Sequence, residues 1–272
     1  MRTACVLYER KDAEKNRVLI NKYFAALKRH GLLPGLILTD RLSHEEVLSM
    51  CGSAALIINR TRNSGLAKFL EYQGFFVSNP AIVNGTANDK YLTYERLKSV
   101  VPMLETHLLT DGAPPLPYPF VAKPAGGHGG AGVSMITREE ELCAYRAAHP
   151  EKSVIQPVAT GLGRDMRVYV IGGRPAAAML RESKSDFRSN FSLGGSAVIV
   201  PLSELKEDER AIVDSVCAAL PLHYAGVDIM RDRGRAVLNE IEDPVGARML
   251  YIYTGIDPAE EHVKYIIKEL FI

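Results

Sequence analysis

The chain has only four cysteines, Cys5, Cys51, Cys143 and Cys217, and no two stand in CxxC spacing. Neither a zinc site nor a disulfide framework is therefore expected. The seven histidines likewise form no HxxxH or similar ligand pair. Charge of neither sign dominates: 33 Lys and Arg against 32 Asp and Glu leave a formal +1. No basic excess points to a nucleic-acid partner, and no acidic tract points to disorder. No apolar run approaches the length of a membrane span, and the one in MRTACVLYERKD is too short for a signal peptide. The expectation is a soluble, cytoplasmic protein with no membrane partner. Internal repeats and low-complexity segments are absent, as is the GxxxxGK[ST] order of a P-loop. No Ser-His-Asp or Cys-His arrangement suggests a nucleophilic side chain.

With 272 residues the chain can bury a substantial core, divided into two or three lobes. Up to about residue 83, strands at 2–8, 36–38, 54–59 and 75–80 alternate with helices at 15–30, from 43, and at 65–73, which predicts a small parallel α/β layer. Ser43 and Glu46 have capping-box spacing, as do Thr137 and Glu140. A helix from Lys90, a proline-rich loop at 111–119, and a glycine-rich strand-turn-strand from Pro119 make a second unit. Its last strand is 153–158. From Met166 onward the pattern is antiparallel: a hairpin through Gly172-Gly173, a strand at 197–200, a helix at 205–220, and a second hairpin. Asp257-Pro258 marks the start of a final helix.

In that second hairpin, YAGVDIMR and AVLNEIE flank the turn Asp232-Arg233-Gly234-Arg235. Glu240 and Glu242, two apart on a strand, share a face, and Asp228 can meet them across the hairpin. Three such carboxylates ask for a cation, and hard oxygen ligands favour magnesium or manganese. A solvated strand face remains the competing explanation. Lys123 precedes a loop with five glycines, including Gly129 and Gly130. Glycine lets backbone N–H groups approach phosphate oxygens, although a purely structural turn is equally open. Gln156-Pro157-Val158 offers an acceptor at Pro157 and a donor at Val158, the pair an adenine edge needs; an edge strand tolerating proline is the alternative. Asp165 and Arg167 share a strand face, as an ion pair or as ligand contacts. Arg188 and Asn190, on a loop that ends in two glycines, suit phosphate and developing negative charge. Arg62, at a strand end, and Arg248 are candidate anchors for a substrate carboxylate, or ordinary surface arginines. His128 at the glycine-loop tip reads as an exposed loop histidine.

Taken in order, these motifs resemble the RimK-type carboxylate–amine ligases of the ATP-grasp superfamily. The resemblance covers about residues 75–270. Its most specific passage is DMRVYVIGGRPAAAMLRESKSDFRSNFSLGG, followed by AGVDIMR, VLNEIEDPVG and TGID, with Asp89-Lys90 ahead of the glycine-rich lid. It implies an ATP-grasp fold, α/β and α+β, with an N-terminal parallel layer at 1–83, a lid lobe at 84–157 and an antiparallel lobe at 158–272. ATP and magnesium (or manganese) are the implied cofactors. Lys90 and Lys123 would hold phosphates, Pro157 and Val158 the adenine, and Asp165 would lie near the nucleotide. Arg188 and Asn190 would face the triphosphate and acyl phosphate, and Asp228, Glu240 and Glu242 the metal. The substrates would be a small-molecule or peptide-like carboxylate and amine, and a homo-oligomer is common in such enzymes. An ATP-grasp kinase and an inactive ATP-binding module are the alternatives. Glu242 stands where the family usually has asparagine, which adds a negative charge to the expected metal site.

Overall fold

The structure is a computed structural model that describes residues 2–161, 163–183 and 196–271. The N-terminal layer contains β1 (Arg2–Tyr8), α1 (Arg10–Lys15), α2 (Arg17–Arg29), β2 (Leu32–Leu38), α3 (His44–Cys51), β3 (Leu56–Asn59), α4 (Ser64–Tyr72) and β4 (Val77–Ser78). Its sheet is parallel, in the order β2-β1-β3-β4. The expected helix at 15–30 is α2, and the short α1 ahead of it was not foreseen; between them Asn16 turns its side-chain amide onto the Asp12 carbonyl oxygen at 2.8 Å, which competes with helix continuation. Beyond this break, Leu19, Ile20, Tyr23, Ala26 and Leu27 recur at helical spacing and bury one face of α2. Each such large side chain contributes about 1.5–3 kcal/mol through burial. Ser43 and Glu46 close their capping box, with bonds of 2.7 and 3.2 Å. Thr137 does not form the expected one: its N–H and hydroxyl both donate to Glu141, at 2.8 and 2.9 Å.

Two helices, α5 (Ala81–Ala87) and α6 (Lys90–Leu97), lead to the lid, with β5 (His107–Leu108), β6 (Phe120–Pro124), β7 (Ser134–Ile136), α7 (Glu139–Ala148) and β8 (Ser153–Pro157). Its antiparallel order is β5-β8-β6-β7. The third unit contains β9 (Arg164–Ile171), β10 (Arg174–Glu182), β11 (Ser196–Val200), α8 (Glu207–Ala219), β12 (Tyr224–Asp232), β13 (Arg235–Glu242), α9 (Arg248–Tyr253) and α10 (Pro258–Phe271). Its sheet is antiparallel, in the order β11-β10-β9-β12-β13. This mixture of one parallel and two antiparallel sheets is the architecture expected from the motifs.

Packing does not follow chain order. Val83, Leu97 and Val101 join the core formed by Val168, Val170, Val213 and Leu238, so α5 and α6 belong by contact to the third sheet. Conversely, Ala259, Val263 and Ile266 of α10 close the N-terminal core against Ala4, Val6 and Leu27. Among the described residues no helix is long and apolar enough to cross a membrane.

Where these units meet, a buried polar chain ties them together. The Ser78 hydroxyl lies 2.7 Å from His262 Nε2 and 2.9 Å from His223 Nδ1, and Tyr23 lies 2.8 Å from His262 Nδ1. Asn79 donates to Asp243 and to the Tyr224 carbonyl, both at 2.7 Å, while Asn84 donates to the other Asp243 oxygen at 2.9 Å. This fixes the chain just beyond Glu242. Burial lowers His223 to about 4 and holds His262 well below its ordinary value, so both rings are neutral in the folded protein. Their contribution to stability is complete above the unfolded histidine value near pH 6.5 and is lost as pH falls towards 4. His223 alone accounts for about 3 kcal/mol over that window. Urea unfolding at neutral pH and near pH 4.5 should show this fall, made shallower by His223→Gln; equal slopes in the two proteins would contradict it.

Candidate active site

The charged centre follows from strand register. On β9, Arg167 lies opposite Asp228 of β12, which in turn lies opposite Glu240 of β13. Two residues back along β9, Asp165 lies opposite Arg181 of β10. Asp228 thus has a guanidinium on one side and a carboxylate on the other, and it turns to the guanidinium. Arg167 donates to both of its oxygens, at 2.7 and 2.6 Å, and Arg181 donates to one of them at 2.7 Å. Arg181 also holds Asp165 with two bonds, and Arg167 pairs with Glu242. The Arg167 guanidinium passes close over Gly226, where an added Cβ would lie 3.4 Å from its Nε.

Asp228 and Glu242 thus meet through Arg167, with Glu240 across the strand pair from Asp228. Arg167 and Arg181 already supply the positive charge around Asp228, and no acidic cluster among the described residues has the arrangement of a metal site. Burial opposes ionisation of Asp228, yet the two arginines overcome it and bring its carboxyl down to about 2. Burial raises Asp165 and Glu242 despite the arginines beside them. Glu240 and Glu242 retain partial exposure, so they differ from the fully buried Asp228 in being able to reach a ligand.

A first cleft, of about 120 Å³, is lined by Lys90, Lys123, Gly129, Gly130, Gln156, Pro157, Asp165 and Glu240. Val158 is not part of its wall; Ala159, one residue on, is. Leu104, Val121 and Met230 supply apolar surface that the sequence did not single out. Lys90 donates to the Gly127 carbonyl and lies 4.0 Å from Glu240, tying the glycine loop to β13. Gly129, Gly130 and Gly132 have φ of 65°, 78° and 67°, which is why this loop needs glycine. Lys123 is buried at 8 % exposure, and no carboxylate lies within ion-pair distance among the described residues. Burial, then Lys90, lower its ammonium to about 8, with Glu240 opposing. A buried ammonium without a carboxylate suits a phosphate anion.

The second cleft, of about 580 Å³, is lined by Lys15, Arg60, Arg62, Arg167, Arg181 and Arg248, with Asp12 and Glu242. Arg62 and Arg248, the candidate carboxylate anchors, thus border one space together with Arg167, the candidate ligand contact. Arg62 pairs with Asp12 at 2.7 Å. The two clefts share His128, Gly129 and Glu240. Arg188 and Asn190 lie outside the described residues. Arg181 was missed; its sequence signal, an arginine on the strand paired with Asp165, emerges only once the hairpin register is known.

A family model for the RimK-like ATP-grasp domain matches residues 103–266. An uncharacterized protein of Mycoplasma pneumoniae is 28% identical over 253 residues, covering 92% of this chain and 86% of that protein. A Xanthomonas oryzae protein named "Probable alpha-L-glutamate ligase" is 29% identical over 210 residues, covering 72% of this chain and 70% of its own. Among solved structures, D-alanine–D-alanine ligase from Bacillus anthracis with ATP superposes with a TM-score of 0.74 at 17% identity, covering 99% and 97% of the two chains. A RimK-domain ATP-grasp protein from Sphaerobacter thermophilus gives 0.72 at 16% identity, covering 97% and 99%. The likeness to solved structures establishes the ATP-grasp fold, and the family match establishes membership: the chain belongs to the RimK-like ATP-grasp family of carboxylate–amine ligases.

Proposed function

We propose that this protein uses ATP to activate an amino-acid or peptide-like carboxylate as its acyl phosphate and couples it to an amine. ADP and phosphate are released. The observation that carries the reading is the shared wall: a lysine-lined cleft with apolar surface meets an arginine-lined cleft at Glu240 and the glycine loop.

In the first cleft Lys90 and Lys123 hold the phosphates, Leu104, Val121 and Met230 flank the base, and the Pro157 carbonyl accepts from its amino group. Arg62, Arg167 and Arg248 orient the carboxylate in the second cleft. Arg188 and Asn190 are assigned to the transferred phosphate on the resemblance. Magnesium is commonly held by one or two carboxylates together with phosphate oxygens. The partly exposed oxygens of Glu240 and Glu242 fit that donor set, whereas both Asp228 oxygens are engaged by arginine. Bound there, magnesium would neutralise phosphate charge. Asp228 instead orients Arg167. The chain's contribution is positioning and charge compensation, as phosphoryl transfer requires.

The state of Lys123 gives nucleotide binding a pH dependence. Its charge is present below about pH 8 and lost above, so ATP affinity should weaken about eightfold between about pH 7.5 and about pH 9. Calorimetric titrations should show this in the wild type and not in Lys123→Met. The function itself is tested by mass spectrometry after incubation with ATP, magnesium and pooled amino acids, glutamate included. ADP together with a product heavier by one amide linkage is expected. ADP accompanied by a phosphorylated hydroxyl compound would replace this reading with a kinase.

A further inference from the structure

We propose that His128 is the general base that takes the proton from the attacking amine. This rests on the ligase function above and extends it to a residue with no assigned role. His128, Gly129 and Glu240 are the residues that border both clefts, so the activated carbonyl and the incoming nitrogen must meet beside them. An aliphatic amine arrives at neutral pH as an ammonium ion and cannot attack until a proton is removed. Gly129 has no side chain, and Glu240 faces Lys90 and is assigned to the phosphate–metal centre. Lys90, Lys123 and the arginines carry charge of the wrong sign. Asp12 and Glu242 on the second cleft are taken up by Arg62 and Arg167, which leaves the imidazole.

His128 is also in the required protonation state. Partial burial at the cleft mouth lowers its pKa, with Arg62, Lys90 and Lys15 acting in the same direction and Asp12 opposing them. It is therefore neutral at physiological pH. None of the other six histidines lines either cleft. Gly127 and Gly129 flank it, and φ of 65° and 78° at Gly129 and Gly130 give the loop tip a turn that only glycine adopts readily. In the step, the ammonium first gives one proton to the imidazole, and the freed lone pair forms the C–N bond. The C–O bond to the phosphate then breaks, phosphate leaves with the bonding pair and takes the second proton from the nitrogen, and the imidazolium returns its proton to solvent.

Hydroxylamine separates this role from loop closure, because it is a weak base already unprotonated at neutral pH. With ATP, magnesium and pooled amino acids as carboxylates, His128→Gln should form hydroxamate at nearly the wild-type rate. Amide formation with the amino acids themselves should fall by about 10²–10³-fold, recover as pH rises, and be restored by added imidazole in His128→Ala. Equal losses in both reactions, or no loss in either, would overturn the assignment. Failure of the wild type to form any hydroxamate would instead overturn the ligase function.

Discussion

Arg181→Met is expected to destabilise the protein by about 3–5 kcal/mol, because it leaves buried charge without a partner. Arg181 is 3 % exposed and engages both oxygens of Asp165, which has no other side-chain partner of comparable proximity among the described residues. Asp228 would keep Arg167 but lose its third bond. Protonating Asp165 offsets only part of the loss, since a neutral carboxyl still needs partners in that setting. The double variant Arg181→Met with Asp165→Leu should recover most of the stability, as an apolar pair replaces an ion pair of similar volume. Urea midpoints of the two variants provide the check. A single variant within about 1 kcal/mol of wild type would mean that the guanidinium does not hold the sheet centre as described.

The second large effect is expected at Glu240. Glu240→Gln removes the carboxylate nearest Lys90 and one of the two candidate donors for magnesium. Turnover at saturating ATP should fall by about 10²–10³-fold, the size seen when one preorganised electrostatic group is deleted. Glu242→Asn, which removes one negative charge from the site, should behave differently. Arg167 would keep Asp228, so the frame of the site survives. The magnesium concentration for half-maximal activity should then rise about tenfold with kcat unchanged at saturating metal. Equal losses of turnover in the two variants would show that Glu242 is as much part of the reacting centre as Glu240.

The contrast between these carboxylates shows what was legible in the sequence. The β12–β13 hairpin, its turn at Asp232–Arg235, and the shared face of Glu240 and Glu242 follow from local pattern. So do the parallel N-terminal layer and the strand lysine, Lys123, ahead of the glycine loop. The partner of Asp228 does not, because it depends on the neighbour on the opposite edge of β12. That neighbour is β9, whose register places Arg167 there. Arg181 was hidden for the same reason: it acts through the β9–β10 register, set by the turn at Gly172 and Gly173. The Ser78–His262–Tyr23 chain joins residues 184 and 239 positions apart, beyond any local pattern. Packing of α5, α6 and α10 across lobe boundaries was equally hidden, since an amphipathic helix states which face it buries and not against which sheet.

The central claim is that a carboxylate oxygen attacks ATP and leaves with the phosphate. Incubation with ATP, magnesium, an amine and a carboxylate carrying heavy oxygen tests it most directly. One labelled oxygen from each activated carboxylate is expected in the released inorganic phosphate. Turnover that releases only unlabelled phosphate would contradict it.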